Sequence, residues 1–310
     1  MPMSVHTQKP PWLKKRLPSG PAYESVREIL KNCHLHTVCQ EARCPNQWEC
    51  YAARTATFLI MGPSCTRNCR FCAVTHGMVH PLDALEPSRV ANAAQYLGLS
   101  YVVITSVTRD DLPDGGAGHF AATVLAVRER LPDAGIEVLI PDFQGNPEAL
   151  RLVLNAKPDV LNHNVETVPR LYPAVRPEAA YPRSIDMIRQ AGDMAPHIQT
   201  KSGLMLGLGE TSEEIRRTLT DLRNAGCRIL TLGQYLQPSS EQLPVERYVP
   251  PEEFDDWKAE ALNMGFLKVA SGPFIRSSYH AGELSQKRFS GCLTGDGCDK
   301  GNAENIMDHQ

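Results

Sequence analysis

Short apolar, β-branched runs alternate with helix-like stretches along most of the chain. The apolar runs occupy residues 56–61, 101–107, 136–140, 159–163, 198–206, 228–236 and 267–270. The helix-like stretches occupy residues 88–98, 119–131, 147–155, 183–191, 212–225 and 252–264. Strand–helix–strand units form right-handed crossovers, and repeated crossovers build a parallel sheet. The alternation therefore predicts an α/β protein.

The stretch 212–225 carries the clearest helix signals. Thr211 and Glu214 have the spacing of a capping box, in which each side chain satisfies a backbone N–H of the other residue. Gly226 stands where the helix is expected to end, because glycine adopts the left-handed backbone conformation without strain. A further helix is predicted over residues 23–32, before the first apolar run.

Two architectures accommodate this alternation: a closed or partly open β/α barrel, and a doubly wound open sheet. Six or seven strand–helix units are enough to form a barrel. The first strand is not followed by a G-x-G-x-x-G segment, which marks many doubly wound nucleotide-binding sheets. We therefore expect a partial, TIM-like β/α barrel.

Polar motifs follow the predicted strands. They occupy residues 105–111, 141–143, 162–167, 201–203 with 207–210, and 234–238. A β/α barrel builds its active site from the loops at the carboxyl ends of its strands. We therefore expect these motifs to face one cavity, together with the loop that follows the first strand.

Four residues in or near these motifs are candidate contacts for a polar ligand: Asn164, Glu166, Arg176 and Lys201. Asn164 and Glu166 follow the fourth apolar run, where hydrogen bonding at the strand end is the alternative role. Arg176 suits a carboxylate or a ribose, although a solvated arginine is also compatible with the sequence. Lys201 lies in an apolar run. Because a buried lysine is costly without a partner, it requires an acidic group or a ligand.

The loop after the first strand contains Cys65, Cys69 and Cys72 in a C-x3-C-x2-C pattern, here called the loop triad. Soft thiolates favour iron–sulfur clusters or zinc. Structural zinc sites usually draw four cysteine or histidine ligands, whereas this local set stops at three. A cluster held by three thiolates leaves one iron open to an outside ligand. A structural zinc knuckle is the alternative.

A second set, Cys39, Cys44 and Cys50, is here called the N-terminal triad. Its C-x4-C-x5-C spacing lies in a segment that is predicted to be loop-like over residues 41–50. On spacing alone, a register of Cys33, Cys39 and Cys44 is equally possible. Further candidate ligands are His34 and His36. Two incomplete sets in one chain favour two clusters over one zinc site.

The bulk properties exclude several classes of function. A net charge of −3 gives no electrostatic case for nucleic-acid binding, and no apolar run approaches the roughly 20 residues of a membrane span. The Pro- and Lys-rich first twenty residues lack the apolar core of a signal peptide. Seven of the ten cysteines lie between Cys33 and Cys72 in ligand-like spacing, which predicts a reducing cytoplasm. Cys292 and Cys298, in the C-terminal tail, are either metal ligands or part of a disordered segment.

The two triads, separated by fourteen residues, together resemble the lipoyl synthase family of radical S-adenosylmethionine (SAM) enzymes. The likeness covers most of the chain. It includes residues 43–46, 49–50, 56–62, 69–72, 108–117, 162–167, 200–210, 234–238 and 272–281. The last of these segments contains the sequence Arg-Ser-Ser-Tyr at residues 276–279.

The resemblance implies the radical SAM type of partial barrel, with extensions at both ends. Residues 1–52 would form an N-terminal extension that carries the N-terminal triad. Residues 53–272 would form the barrel. Residues 273–310 would form a C-terminal segment that contains the Arg-Ser-Ser-Tyr sequence and a flexible tail.

The resemblance also assigns the site residues. The loop triad would hold a 4Fe-4S cluster that binds and reduces SAM. The N-terminal triad would hold a second 4Fe-4S cluster with Ser278 as its fourth ligand, or with Ser277 as the fallback, and this choice excludes the register that begins at Cys33. The expected SAM contacts are Asn164, Glu166, Arg176 and Lys201.

The implied reaction inserts two sulfur atoms at C6 and C8 of an octanoyl chain that is attached to a lysine of a lipoyl carrier domain or glycine-cleavage H protein. The second cluster would donate both sulfurs and be consumed. Expected partners are therefore a ferredoxin or flavodoxin reductant and an iron–sulfur cluster carrier. Two alternatives stay open: a biotin-synthase-like or methylthio-transferring radical SAM enzyme, and a non-enzymatic electron-transfer or cluster-carrier protein.

Overall fold

The computed structural model describes residues 9–14 and 21–285, and within them an eight-stranded sheet dominates the fold. Its strands are β1 (His36–Thr37), β2 (Thr57–Ile60), β5 (Tyr101–Ser106), β6 (Gly135–Leu139), β7 (Val160–Asn162), β8 (Gln199–Leu206), β9 (Ile229–Gln234) and β10 (Lys268–Gly272). A separate two-stranded ribbon pairs β3 (Ser64–Cys65) with β4 (Thr75–His76). The ribbon lies in the segment of the loop triad.

Helices fill the connections between the strands. They are α1 (Pro21–Asn32), α2 (Val38–Glu41), α3 (Gln47–Ala52), α4 (Glu86–Leu97), α5 (Ala117–Arg130), α6 (Pro147–Asn155), α7 (Tyr172–Val175), α8 (Tyr181–Met194), α9 (Ser212–Asn224), α10 (Pro251–Asn263) and α11 (Ala281–Ser285). Single turns of 3-10 helix cover Pro11–Leu13, Phe143–Gly145 and Pro169–Leu171. The predicted barrel strands and helices are all present, with ends displaced by a few residues at most.

The order of the strands distinguishes the two candidate architectures. β1 pairs antiparallel with β2, and the other neighbouring pairs of the sheet are parallel. From β2 to β10 the spatial order follows the chain order, whereas a doubly wound sheet reverses its order at a switch point. β1 and β10 form the edges of the described sheet, so the barrel is open between them. The prediction of a partial β/α barrel is confirmed.

The N-terminal segment contains structure that the sequence did not predict. Residues predicted to be loop-like include the short helix α3, and β1 adds an antiparallel edge to the sheet. Both depend on tertiary contacts: Trp48 stacks on Tyr23 with ring centroids 4.3 Å apart, and the Tyr51 and Thr37 hydroxyls lie 2.7 Å apart. A six-residue helix is too short to be stable by propensity alone, which explains the missed assignment.

The two faces of the sheet differ in chemistry because alternate residues of a strand point to opposite faces. Ile104 and Ile136 are fully buried in an apolar core shared with the outer helices. Thr105, Gly203 and Thr231 instead line the barrel interior. Among the described residues, no helix combines the length and apolarity needed to cross a bilayer.

Helix α9 begins and ends as its sequence predicts. The Thr211 hydroxyl accepts the Glu214 N–H at 3.3 Å, and the Glu214 carboxylate accepts the Thr211 N–H at 2.8 Å, which completes the capping box. Gly226 follows the helix with φ = 85°. The local signals here agree with the tertiary structure.

Replacing Thr211 with alanine should lower the free energy of unfolding by about 1 kcal/mol, because an N-cap hydroxyl is lost. Denaturant-induced unfolding of the full chain measures the change. The matched control is Thr220→Ala, whose hydroxyl is exposed on the same helix and bonds the Arg216 carbonyl. That control should change stability by less than about 0.5 kcal/mol. Equal losses from the two variants would contradict the capping argument.

Candidate active site

A cavity of about 2110 Å³ occupies the barrel interior and extends to both ends of the strands. Thr108, Asn164 and Gln237 line it beyond the carboxyl ends, whereas Ser100, Asp133 and His197 line it before the amino ends. Both cysteine triads contribute to the lining: Cys39, Cys44, Cys50, Cys65, Cys69 and Cys72. A single space therefore joins the two sets of thiols.

Arg67, between the first two cysteines of the loop triad, anchors that loop. Its side chain is only 4% exposed. The guanidinium donates to both oxygens of Asp110, at 2.6 and 2.9 Å, and to Asp142 at 2.7 Å. Asp110 follows β5 and Asp142 follows β6, and Arg183 of α8 contacts Asp142 at 3.2 Å. The motifs at two neighbouring strand ends thus hold the loop in place.

Backbone hydrogen bonds fix the same loop. The Thr66 N–H donates to the Thr108 carbonyl at 3.0 Å, and the Arg70 N–H donates to the Val175 carbonyl at 2.9 Å. The Thr108 N–H donates to the Cys65 sulfur at 3.2 Å. The backbone of the loop is therefore held by the segment after β5 and by the end of α7.

The N-terminal triad lies at the opposite end of β2. Cys39 is in α2, Cys50 is in α3, and the Thr57 N–H, at the start of β2, contacts Cys39. Four residues of strand span roughly 10 Å between the first and last Cα atoms, so the two triads flank the barrel interior. Cys33 packs against the apolar core instead of the cavity. This placement favours the Cys39, Cys44 and Cys50 register.

Burial raises the pKa of three of these thiols: to about 12 for Cys39 and Cys72, and above its ordinary value for Cys69. Cysteine binds metal as thiolate, so a bound metal must itself supply the charge that drives deprotonation. All eight cysteines in the described part of the chain are free. Both triads therefore have thiols available as ligands.

Within residues 9–14 and 21–285, no three His, Cys, Asp or Glu side chains are grouped to hold one metal ion. Tetrahedral zinc draws its sulfur ligands to about 2.3 Å from one centre. A four-iron cluster presents its ligand positions at separate corners and therefore needs a more widely spaced set.

The segment that follows β10 reaches across the cavity. Asn46 donates to the Phe274 carbonyl at 2.7 Å, and Asn164 donates to the Ser277 hydroxyl at 3.2 Å. Ser278 also lines the cavity, and its hydroxyl makes no recorded hydrogen bond with the rest of the described chain. A Cβ at Gly233 would lie 2.1 Å from the Ile275 oxygen, so only glycine lets this segment approach β9.

Three of the four predicted ligand contacts come together at the loop-triad end. Asn164 donates to Glu166 at 3.1 Å, and Arg176 donates to the Asn164 carbonyl at 2.9 Å. Glu166 has φ = 65°, an uncommon conformation for a residue other than glycine. Asn164 Oδ1 and Arg176 Nε are buried without a hydrogen-bond partner among the residues described. Such unsatisfied atoms in a cavity indicate a polar ligand.

Lys201 lies apart from these three residues. Its ammonium is fully buried and bonds both oxygens of Glu137, at 2.8 and 3.1 Å. Tyr101 and Asn162 donate to the same carboxylate, at 2.9 and 3.2 Å. The lysine thus has the acidic partner that burial requires. It lies outside the cavity lining, and its contact with SAM stays a prediction.

Sequence reasoning missed the residues that position the site. The sequence shows Arg67 between two cysteines, but only the fold shows that Asp110 and Asp142 both contact it. His163 is buried, and its neutral ring lies 2.9 Å from the Ile140 carbonyl and 3.0 Å from the Ser184 hydroxyl. The first contact places the ring proton on Nδ1, because a carbonyl oxygen can only accept. Cys292 and Cys298 lie outside the described residues.

Comparisons with known proteins show the family of the chain. The family model described as the radical SAM superfamily matches residues 59–222, and the one described as the N-terminal domain of lipoyl synthase matches residues 2–44. A lipoyl synthase of Rubrobacter xylanophilus is 54% identical over 285 residues, which cover 92% of this chain and 89% of the relative. A lipoyl synthase of Desulfotalea psychrophila is 57% identical over 279 residues, covering 90% and 93%.

Solved structures support the fold at low sequence identity. Methylornithine synthase (PylB) superposes with a TM-score of 0.52 at 14% identity, covering 83% of this chain and 82% of that one. HydG, a maturase of the FeFe-hydrogenase, superposes with a TM-score of 0.56 at 14% identity, covering 85% and 66%. At this identity the likeness concerns the fold alone.

Replacing Asp142 with asparagine should destabilise the chain and weaken iron retention by the loop triad. The change removes one of the two charges that compensate buried Arg67, and breaking a buried pair costs about 3 kcal/mol or more. Denaturant unfolding and iron content after anaerobic reconstitution measure the two effects. Asp256→Asn, at an exposed position on α10, is the control. Wild-type iron retention in the Asp142 variant would refute the anchoring role.

His163 should make stability depend on pH. Burial lowers the pKa of His163 from 6.5 to about 4. Between these pH values the imidazole is protonated in the unfolded chain and neutral in the folded chain. The folded state should therefore lose about 3 kcal/mol as pH falls through this window, at 1.36 kcal/mol per pKa unit. Unfolding curves at several pH values measure the slope.

The His163→Gln variant should show a smaller loss of stability across that window, whatever its stability at neutral pH. The control is His197→Gln at an exposed position, which should keep the wild-type slope. A slope that is unchanged in the His163 variant would assign the pH dependence to other groups.

Proposed function

Because the chain belongs to the lipoyl synthase family of the radical SAM superfamily, we propose that it inserts sulfur at C6 and C8 of a protein-bound octanoyl-lysine. The single observation that carries this proposal is the pair of free cysteine triads at opposite ends of one cavity. One end would generate the reactive species and the other would supply sulfur. The acyl chain would lie between them.

The loop-triad end has the features of a SAM site. Cys65, Cys69 and Cys72 would hold a 4Fe-4S cluster. Arg176 and Asn164, with their unsatisfied atoms, would bind and orient the polar groups of SAM. When bound, this cluster and SAM would supply a radical that abstracts hydrogen from an unactivated C–H bond. The chain's own contribution there is to hold ligands and to fix the loop through Arg67.

The N-terminal triad would hold the sulfur donor, a second iron–sulfur cluster that acts as a substrate of the reaction. Ser278 is the better candidate for the fourth ligand, because Asn164 already bonds the Ser277 hydroxyl. A serine oxygen is a harder ligand than a thiolate. It therefore binds the iron of a sulfur-rich cluster more weakly than a thiolate does. One weakly held iron is consistent with a cluster that is taken apart during turnover.

The middle of the cavity suits an aliphatic chain. Leu59, Val103 and Leu139 contribute apolar lining at the level of the strands, between the two triads. Apolar walls with a few convergent polar groups are typical of ligand cavities. They would also keep water away from a reactive carbon centre.

The proposal implies three protein partners. One carries the octanoyl-lysine, as a lipoyl carrier domain or glycine-cleavage H protein does. A ferredoxin or flavodoxin would deliver electrons to the loop-triad cluster, and an iron–sulfur cluster carrier would rebuild the spent one. The free thiols suit a reducing cytoplasm.

Replacing Cys44 with alanine should separate the cleavage of SAM from the insertion of sulfur. The reconstituted variant should still form 5′-deoxyadenosine from SAM, because the loop triad is intact, but it should make no lipoyl product. Anaerobic incubation with an octanoylated carrier peptide and mass spectrometry measures both products. Normal lipoyl formation by this variant would exclude the N-terminal triad as the sulfur source.

Two further variants serve as controls. Cys33→Ala should leave both products at wild-type levels, because Cys33 packs against the core and away from the cavity. Cys72→Ala should abolish both products, because the loop triad loses a ligand. Loss of lipoyl product in the Cys33 variant would favour the alternative register that begins at that residue.

A further inference from the structure

Three cations around the N-terminal-triad end of the cavity occupy strained backbone positions. Arg43, Arg54 and Lys157 have φ values of 51°, 54° and 57°. They follow the cap residues of α2, α3 and α6, where a left-handed conformation is needed and glycine is the usual residue. A side chain at such a position is a conformational cost that glycine would avoid.

This chain uses glycine at three equivalent helix ends elsewhere, whereas His34 takes the left-handed position after α1 with φ = 52°. Gly226 follows α9 with φ = 85°, and Gly265 follows α10 with φ = 93°. Both line a separate, smaller cavity. Gly98 ends α4 with φ = 67° and does line the main cavity, so glycine is compatible with that region too. The cations are therefore not required by the backbone.

Terminating the helices does not need these side chains either. The Arg43 N–H donates to the Gln40 carbonyl at 3.0 Å, and the Arg54 N–H donates to the Tyr51 carbonyl at 3.0 Å. These bonds come from the backbone and would form equally with glycine. Helices α2 and α3 have four and six residues, too few for a large dipole that would attract a cation.

The three side chains are exposed and line the mouth of the cavity. Within the described residues, none of them makes a recorded ion pair or side-chain hydrogen bond. Lys9, also exposed, lines the same mouth. We call Arg43, Arg54 and Lys157 the cationic rim.

Most carboxylates at this mouth already have partners. Asp159 pairs with Arg128 at 2.8 Å, Glu283 contacts His280 at 2.6 Å, and Glu49 bonds Tyr279. Asp133 is an exposed carboxylate without a recorded partner there. The rim therefore offers three exposed cations without an acidic partner among the described residues, on a chain whose net charge is −3.

We propose that the cationic rim docks an acidic surface of the protein that carries the octanoyl-lysine, so that the acyl chain enters at the N-terminal-triad end. The inference rests on the proposed function, which requires such a carrier. A carrier with carboxylates around the acylated lysine would be attracted to the rim, while the overall charge of the chain would repel it elsewhere. Charge complementarity of this kind fixes orientation and speeds association.

The test compares an intact octanoylated lipoyl carrier domain with a short, neutral octanoyl-lysine peptide. The enzyme is the anaerobically reconstituted full chain, as wild type and as the triple variant Arg43→Gly, Arg54→Gly and Lys157→Gly. Glycine relieves the strained conformation, so the unfolding temperature of the variant should be equal to or higher than that of the wild type. KM for each substrate is measured at low salt and at about 0.5 M NaCl, where surface charges are screened.

In the triple variant, the ratio of the carrier KM to the peptide KM should rise about tenfold, because several complementary charges of the rim are lost. High salt should raise the carrier KM of the wild type but not that of the variant. Restoring charge through Arg43→Lys, Arg54→Lys and unaltered Lys157 should recover most of the carrier affinity. Arg217→Gln, an exposed cation of α9 without a recorded partner, should leave the carrier KM unchanged.

Three outcomes separate the two proposals. If the wild type adds sulfur to neither substrate, the proposed function is wrong. If the wild type converts both substrates but the triple variant keeps the wild-type carrier KM and its salt dependence, docking at the cationic rim is overturned and the proposed function stands. Equal increases in the KM of carrier and peptide would likewise overturn docking at the rim.

Discussion

The position of the loop triad depends on the ion pairs that the buried guanidinium of Arg67 makes with two aspartates. A charged side chain that is only 4% exposed is stable only if opposite charges and hydrogen bonds surround it. Asp110 and Asp142 provide both, each from the carboxyl end of a different strand. The loop that carries the cysteines is therefore anchored to the two loops that follow β5 and β6. The loop of the loop triad thus has a defined position because it is bonded to residues that follow strands of the parallel sheet.

The uninterrupted order of the parallel strands has a second consequence. All carboxyl ends lie on one side of the barrel and all amino ends on the other, so the interior has two chemically distinct mouths. The loop triad belongs to the first mouth by its place after β2. The N-terminal triad reaches the second because β1 runs antiparallel to β2 and returns the chain to the amino end. Separation of the two sets of thiols is thus a property of topology.

The segment after β10 connects these two regions physically. Ser277 bonds Asn164, which belongs to the loop-triad end, while the neighbouring Ser278 lines the cavity with its hydroxyl available. Asn46, from the N-terminal segment, holds the same stretch at Phe274. Close approach at Gly233 makes this path possible. This segment therefore contacts both ends of the cavity.

The sequence by itself determined the class of fold, the chemistry of the thiols and the family, because hydrophobic alternation and ligand spacing are local patterns. It also identified Lys201 as a residue in need of a partner, but it could not name Glu137, which is distant along the chain. The tertiary structure alone decided that Arg67 is an anchor, that the triads lie at opposite ends of β2, and that α3 forms. Each of these features depends on contacts between segments that are far apart in sequence. Local sequence patterns do not predict such contacts.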